Sequence, residues 1–211
     1  MPYTAEHKSR TRARIVAAAR ELFNRRGFID VSIDDVMAEA GLTRGGFYNH
    51  FANKEELLLA AVDTYRQCNP TDRWEDVDLD FDAPPADLLD QMISAYLSEA
   101  HLDDVAGHCP LVALPADVAH AGPMVRRAYR LLLDRMVGIF AAGIGDEYRA
   151  RAIAAQCVGA MLIGRTIGDR EEARRWLAAS RRAARELASV PQRSARHPGA
   201  ERAGAAGARS R

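Results

Sequence analysis

The chain has 211 residues, of which 48% are hydrophobic and 27% charged, with 29 Lys and Arg against 29 Asp and Glu. This globular balance leaves room for a small head and one ordinary domain. It excludes a membrane helix, which requires roughly 18 to 20 apolar residues in a row. The polar start Met1-Pro2-Tyr3-Thr4-Ala5-Glu6-His7-Lys8 lacks the apolar core of a secretory signal, so a cytoplasmic protein is expected. Three scattered cysteines, Cys68, Cys109 and Cys157, argue against a disulfide framework and against zinc held by close thiol pairs. The zero net charge hides a division. Residues 1–54 hold nine basic and six acidic side chains, residues 55–147 six and 18, and residues 148–211 14 and five. DNA phosphate attracts such a head and repels such a middle, although ordinary solvated faces give the same counts.

Helical spacing dominates the chain, and no run alternates as a strand does. An all-α fold is expected, with a three-helix helix-turn-helix head and a helical body. Ile15, Ala18, Ala19, Leu22 and Phe23 share one helix face, with Thr11 as N-cap and Gly27 as stop. Ahead of it, His7-Lys8-Ser9-Arg10-Thr11-Arg12 is either a solvated basic terminus or a flexible arm that carries Arg10 and Arg12 to DNA. Ser32-Ile33-Asp34-Asp35 has the form of a capping box, with Asp where Glu or Gln is usual. Ile33, Val36, Met37 and Ala40 follow at helical spacing, and Gly41 ends that helix. Thr43 is placed to cap a very short third helix that turns Phe47 and Phe51 inward. Asn53 caps a fourth, whose apolar face is Leu57, Leu58, Ala61, Val62 and Tyr65.

Residues 69–85 are acidic and proline-marked, and read as a loop. Helical segments follow near 86–101, 123–142, 146–167 and 170–188, with a shorter piece around 110–120. Pro115 should kink or split that piece, and Pro123 sits where a first helical residue belongs. Residues 191–211, rich in Ala, Gly, Arg and Ser, read as a disordered tail. The expected division is an arm and DNA-binding head over 1–53, a regulatory and dimerising body over 54–190, and the tail.

The stretch from Ile33 to Phe51 reads as helix, tight glycine turn and short helix. That geometry places a second helix in the major groove of DNA. With Phe47 and Phe51 packed on Leu22, Phe23 and Val36, the outward face is Arg44, Gly45, Tyr48, Asn49 and His50. Arg44 can bind guanine bidentately or hold a phosphate, and Asn49 can bridge an adenine edge or a phosphate. Tyr48 and His50 can donate to phosphate oxygens, Lys54 offers a point charge beside another, and the amides behind Thr43 favour an anion. Ser32 and Gly46 complete the candidate DNA-contacting set. Each glycine of Gly45-Gly46 costs a helix about 1 kcal/mol relative to alanine. The pair means either a helix held only by packing or a backbone that comes close to bases or phosphate.

The segment Arg10 to Leu58 resembles the DNA-binding head of the tetracycline-repressor (TetR) family. The matching landmarks begin with Arg14-Ile15, Ala18-Ala19, Leu22-Phe23 and Gly27-Phe28, then Ser32-Ile33 with Val36, Ala38 and Ala40-Gly41. They continue as Thr43-Arg44-Gly45-Gly46-Phe47-Tyr48-Asn49-His50-Phe51 and Asn53-Lys54-Glu55-Glu56-Leu57-Leu58. The resemblance covers about a quarter of the chain. It departs at Gly46, where the family usually has a small hydroxyl residue, and at Ala52, where proline is frequent. The first departure removes one expected DNA contact. The resemblance implies an all-helical homodimer, usually a repressor, that leaves a palindromic operator when a small apolar or electrophilic molecule binds its body.

Small residues crowd the last two helical segments: Ala152, Ala155, Gly159, Ala160 and Gly164, then Ala173, Ala178, Ala179, Ala183 and Ala184. They serve close packing, either within one chain or, as the resemblance implies, in a four-helix dimer interface. Met92, Tyr96, Val112, Tyr129, Met136, Phe140, Met161 and Trp176 are either ordinary core or, by the same resemblance, the lining of a ligand pocket. His108-Cys109-Pro110 resembles the Gly-Cys-Pro segment that opens a pocket-side helix in one branch of the family. Proline in the first helical position makes Cys109 the N-cap. There the helix terminus and a protonated His108 would favour a reactive thiolate; the alternative is a buried, inert cysteine. His101, His108, Cys109, Asp117 and His120 match no compact metal motif. Neither Gly-x-Gly-x-x-Gly nor Gly-x-Ser-x-Gly occurs, and no metal, cofactor or catalytic activity is expected.

Overall fold

A computed structural model describes residues 5–65, 77 and 79–190. The expected tail, Cys68 and most of the expected 69–85 loop lie outside the described residues. The head runs α1 (Ala5–Arg26), α2 (Ile33–Glu39), a 3-10 helix (Arg44–Asn49) and α3 (Lys54–Thr64). The body runs α4 (Pro85–Tyr96), α5 (Glu99–Asp103), α6 (Pro110–Ala113), α7 (Pro115–His120), α8 (Pro123–Ile144), α9 (Glu147–Thr166) and α10 (Arg170–Ser189). The described residues form no strand, and the fold is all-α. None of these helices is long and apolar enough to cross a membrane.

Local chemistry accounts for most of the boundaries. At α2 the Asp35 amide donates to the Ser32 hydroxyl at 3.0 Å, and the Ser32 amide donates to the Asp35 carboxylate at 2.8 Å. The shorter Asp therefore closes a capping box as Glu would. Gly41 follows with φ 64°, a left-handed conformation that bends the chain between α2 and the 3-10 helix. Asn53 caps α3 by accepting from the Glu56 amide at 2.8 Å. Pro115 splits the expected 110–120 piece into α6 and α7. The expected 86–101 helix breaks at Leu97, and Ser98 caps α5 by accepting from the His101 amide at 3.0 Å.

Two expectations at the head need correcting. α1 begins at Ala5, so Arg10 and Arg12 stand on a helix and not on a flexible arm, and Thr11 is interior instead of a cap. No glycine or proline interrupts this stretch, and Glu6 pairs with Arg10 one turn on at 2.6 Å. Thr43 does occupy the N-cap position of the next element, but its hydroxyl makes no capping bond. Its carbonyl instead accepts from the Gly46 amide at 3.0 Å, the tighter bonding of a 3-10 turn.

Two cores hold the fold. The first gathers Ile15, Ala19 and Phe23 of α1, Val36, Phe47, Phe51, and Leu57, Leu58 and Val62 of α3. It continues without a break through Leu114 and Val118 to Val125 and Ala128 of α8. The core thus runs across the expected 53/54 boundary and joins head to body. The second lies among α4, α6, α8, α9 and α10, with Ile93, Phe140, Ile153, Cys157, Met161 and Leu177 at its centre.

α4 lies against bare backbone of α8. A Cβ built on Gly143 would stand 2.7 Å from the Pro85 carbonyl oxygen and 2.8 Å from Leu89 Cβ. Neither neighbour is the end of a flexible chain. Gly143→Ala should therefore push α4 off α8 and destabilise the protein by about 1–3 kcal/mol, as overpacking does. In urea unfolding this appears as a lower midpoint with an unchanged slope.

Candidate functional site

The polar ridge of the head stands on an aromatic base. Phe47 and Phe51 are buried with their ring centres 5.7 Å apart. Tyr48 meets Phe47 edge-on at 5.3 Å yet remains 60% exposed. Arg44 is exposed, and its guanidinium donates to Asp34 of α2 at 2.7 Å. Asn49 is exposed beside them. A Cβ at Gly45 would meet nothing within 4 Å, and one at Gly46 only Met37 Cε at 3.6 Å. The packing of the chain itself requires glycine at neither position.

Two expected phosphate contacts, His50 of the outward face and Lys54 at the start of α3, turn inward. His50 is half-buried, and its Nδ1 is sealed without a hydrogen-bond partner. Burial, then the charges of Lys8 and Arg12, hold its pKa below the usual imidazole value. With His7, Lys8, Thr43 and Asn49 it lines a groove of about 470 Å³ between α1 and the 3-10 helix. Lys54 donates to the carbonyls of Val31 at 2.7 Å and Ile29 at 3.3 Å, and its ammonium lies 4.3 Å over the Phe28 ring. Burial lowers its pKa. Lys54 therefore clamps the α1–α2 loop. Arg12 stacks 4.7 Å over the Phe51 ring, and the Ser32 hydroxyl donates to Asp35.

The body holds an apolar cavity of about 90 Å³. α4 supplies Met92, Ala95 and Tyr96, and α8 supplies Leu132, Met136 and Ile139. Cys109 and Leu111 come from the start of α6, and Tyr65 from the end of α3. Exposed Arg135 and Phe81, 5.8 Å apart, stand at the lip. His101 also lines the cavity and packs against Tyr96 with ring centres 4.8 Å apart, and behind it His108 packs against His101 at 5.0 Å. His101 Nδ1 lies 2.8 Å from the Tyr96 carbonyl oxygen.

Burial keeps this cluster uncharged at neutral pH. It lowers His101 to about 4 and His108 to about 3, and raises the Cys109 thiol to about 11. A thiolate at Cys109 assisted by a protonated His108 is therefore not what the site holds. Cys109 does sit in the N-cap position, but α6 has only four residues and the side chain makes no capping bond. So short a helix offers little dipole, and desolvation prevails.

Side chains at the seam tie head to cavity. Asn24 of α1, 5% exposed, donates to the Tyr65 hydroxyl at 2.9 Å and to the carbonyls of Ala106 at 2.8 Å and His108 at 3.0 Å. Arg20 lies 4.2 Å over the Tyr65 ring. Asp117 of α7 accepts from the Ile29 amide at 3.4 Å, and Glu55 of α3 accepts from the Gly122 amide at the start of α8.

Residues 15–61 match the sequence model of a family described as bacterial regulatory proteins, tetR family. Over 61 residues the chain is 39% identical to the HTH-type transcriptional regulator YfiR of Bacillus subtilis, covering 29% of this chain and 30% of that protein. Over 64 residues it is 41% identical to the regulator TtgR of Pseudomonas putida, 30% of each chain. A crystal structure of a TetR transcriptional regulator from Chloroflexus aurantiacus superposes with a TM-score of 0.65 at 25% identity, covering 87% of this chain and 94% of that one. Residues 15–61 thus form a head of the tetR type. A TetR-family regulator from Agrobacterium tumefaciens shares the fold, with a TM-score of 0.65 at 22% identity over 85% of this chain and 98% of that one. The match spans about 30% of the length of the curated relatives named here.

In this tetR-type head, Arg44, Gly45, Tyr48 and Asn49 occupy the outward positions that their spacing predicts. Of the expected pocket residues, Met92, Tyr96, Cys109 and Met136 line the cavity. His108, Val112, Tyr129, Phe140 and Met161 do not: the last two and Val112 are core, His108 backs His101, and the Tyr129 hydroxyl donates to the Leu111 carbonyl at 3.1 Å. Trp176 is 44% exposed on α10, far from a lining role. Tyr65, Leu111, Leu132 and Ile139 escaped the sequence reading, because apolar residues that line a cavity keep the spacing of those that fill a core. Asn24 also escaped it. Its signal was an amide side chain beside Phe23 in the last turns of α1. Among the described residues, no three His, Cys, Asp or Glu side chains gather as a metal site would need.

The two buried histidines give a pH dependence with a definite sign. Unfolded imidazoles take up protons near 6.5, whereas in the folded protein these two resist until about 4 and about 3. Between those limits the unfolded state binds more protons, so stability falls as pH drops from about 6.5 towards 4. Thermal midpoints measured across that range should decline, and His108→Gln, which takes up no proton, should flatten part of the slope.

Proposed function

We propose that the protein is a homodimeric transcriptional repressor. Its paired heads grip a palindromic DNA operator and release it when a small, largely apolar ligand fills the body cavity. The observation that carries this reading is the ridge of Arg44, Tyr48 and Asn49, standing exposed on buried Phe47 and Phe51. Asp34 holds Arg44 extended at the start of the 3-10 helix, and the open space at Gly45 lets backbone approach a duplex closely. Tyr48 and Asn49 stand exposed beside Arg44, whereas His50 and Lys54 act from behind by supporting the groove and the loop.

One short recognition segment reads few bases, so specific binding calls for a second half-site about one DNA turn, roughly 34 Å, away. The outer faces of α9 and α10 suit the pairing that supplies it. Tyr148 (83% exposed), Ala152, Ala155, Gly159, Leu162 and Ile163 form one stripe at helical spacing. Trp176, Ala179 and Ala183 form another on α10. A Cβ at Gly159 would meet nothing within 4 Å of its own chain. Ala160, Gly164, Ala173 and Ala184 instead face inward, where a Cβ on Gly164 would touch Leu102 at 3.5 Å.

The seam supports coupling between ligand and DNA. Leu111 lines the cavity, while Leu114 and Val118, a few residues on, insert into the core of the head. A ligand that favours one placement of α6 and α7 thereby favours one placement of the heads, and operator affinity shifts by the difference in its affinities for the two.

Selection of bound DNA from a random pool should return a palindrome. Arg44→Ala with Tyr48→Ala changes only exposed groups, so the protein should stay folded while affinity for the selected duplex falls by about tenfold to a hundredfold. A folded double variant that binds as tightly as wild type overturns the reading. Gly159→Arg should leave the protomer helical and yield monomers in sedimentation; an intact dimer would remove α9 from the proposed interface.

A further inference from the structure

If the body cavity is the effector site, as just proposed, its wall also says which chemistry it admits. Among the described residues no carboxylate lines it, so a cation finds no counter-ion among them. Among the described residues the sole charged lining group is Arg135, which is exposed at the lip. The titratable groups of the wall are uncharged at neutral pH, and a charged guest would lose its hydration without compensation.

Among the hydroxyls of the wall, one stands apart. Three tyrosine hydroxyls lie in this part of the body. That of Tyr65 accepts from Asn24 at 2.9 Å, and that of Tyr129 donates to the Leu111 carbonyl at 3.1 Å. The hydroxyl of Tyr96 is buried beside the Cys109 thiol, a weak acceptor, and meets no oxygen or nitrogen partner. A sealed hydroxyl without such a partner is rare in folded proteins and calls for a physical cause. Tyr96 is a lining residue of the cavity, whereas His108, whose Nδ1 is likewise without a partner, is not. Met92 and Met136 line the same space, and their unbranched side chains can part for a guest larger than the present 90 Å³.

We propose that the cavity takes an uncharged, chiefly apolar molecule bearing a hydrogen-bond-accepting oxygen, such as an aryl ketone, and that Tyr96 is the specificity residue whose hydroxyl donates to that oxygen. A wall group left unpaired by the wrong guest and paired by the right one discriminates between molecules of equal size.

Four probes of similar bulk test this on the full chain by calorimetry: acetophenone, cumene, benzoate and phenyltrimethylammonium. Acetophenone should bind about tenfold more tightly than cumene, with no binding of either ion. Tyr96→Phe deletes a buried hydroxyl whose neighbour is the weakly accepting Cys109 thiol, so the thermal midpoint should hold or rise. Its affinity for acetophenone should drop to that for cumene, and its affinity for cumene should stay unchanged. Binding of an ion as tight as that of the ketone, a ketone preference that survives Tyr96→Phe, or no binding of any neutral probe each overturns the inference. Operator affinity measured in the same mixtures separates the two readings. Tyr96-dependent ketone binding that leaves operator affinity unmoved upholds this inference and removes the effector role. A palindrome released by a ligand of other chemistry does the reverse.

Discussion

The arrangement of the molecule depends on one buried amide. Asn24 stands near the end of α1, where the head meets the body, and shares two hydrogens among the oxygens of Tyr65, Ala106 and His108. Those oxygens belong to a cavity-lining residue at the end of the head and to two residues of the loop before α6. An unanswered oxygen in such a place costs about 1–3 kcal/mol, so the amide is a constraint and not decoration. It places α1 relative to the cavity, and the hydrophobic seam of Leu114, Val118, Val125 and Ala128 fills in around that placement. Apolar contact alone tolerates sliding, whereas directional bonds to three acceptors do not.

The same interior decides the electrostatics. A helix terminus and a neighbouring imidazole both favour a thiolate when water is near, but at Cys109 the terminus belongs to a single turn and the imidazole is buried. Desolvation then outweighs both. Lys54 is a milder case: its charge survives because two carbonyls and the Phe28 face receive it.

What was legible in the sequence was whatever neighbours in sequence decide. The Ser32–Asp35 box, the Asn53 cap, the splitting by Pro115 and the opening of α8 at Pro123 are all written within four residues. So is the ridge, because Phe47 and Phe51 fall one turn apart and leave Arg44, Tyr48 and Asn49 on the other side. What depends on distant chain was not legible. Lys54 turns inward because the 28–31 loop presents carbonyls to it, and His50 because Lys8 and Arg12 ride on an α1 longer than its best cap suggested. The wall of the cavity was half legible. Met92, Tyr96, Cys109 and Met136 were named, but nothing in spacing separates Leu132, which lines space, from Phe140, which fills it.

The split at Pro115 has a mechanical consequence. Proline has no amide hydrogen, so in a continuous helix the carbonyl four residues earlier, that of Leu111, would go unanswered. Here the Tyr129 phenol of α8 answers it. The elbow between α6 and α7 is thus pinned from outside, by a side chain on the long central strut. Swinging α6 away from that strut breaks the pin, whereas rocking it about the pin keeps the bond. Because α7 follows directly at Pro115, any such rocking carries Val118 with it.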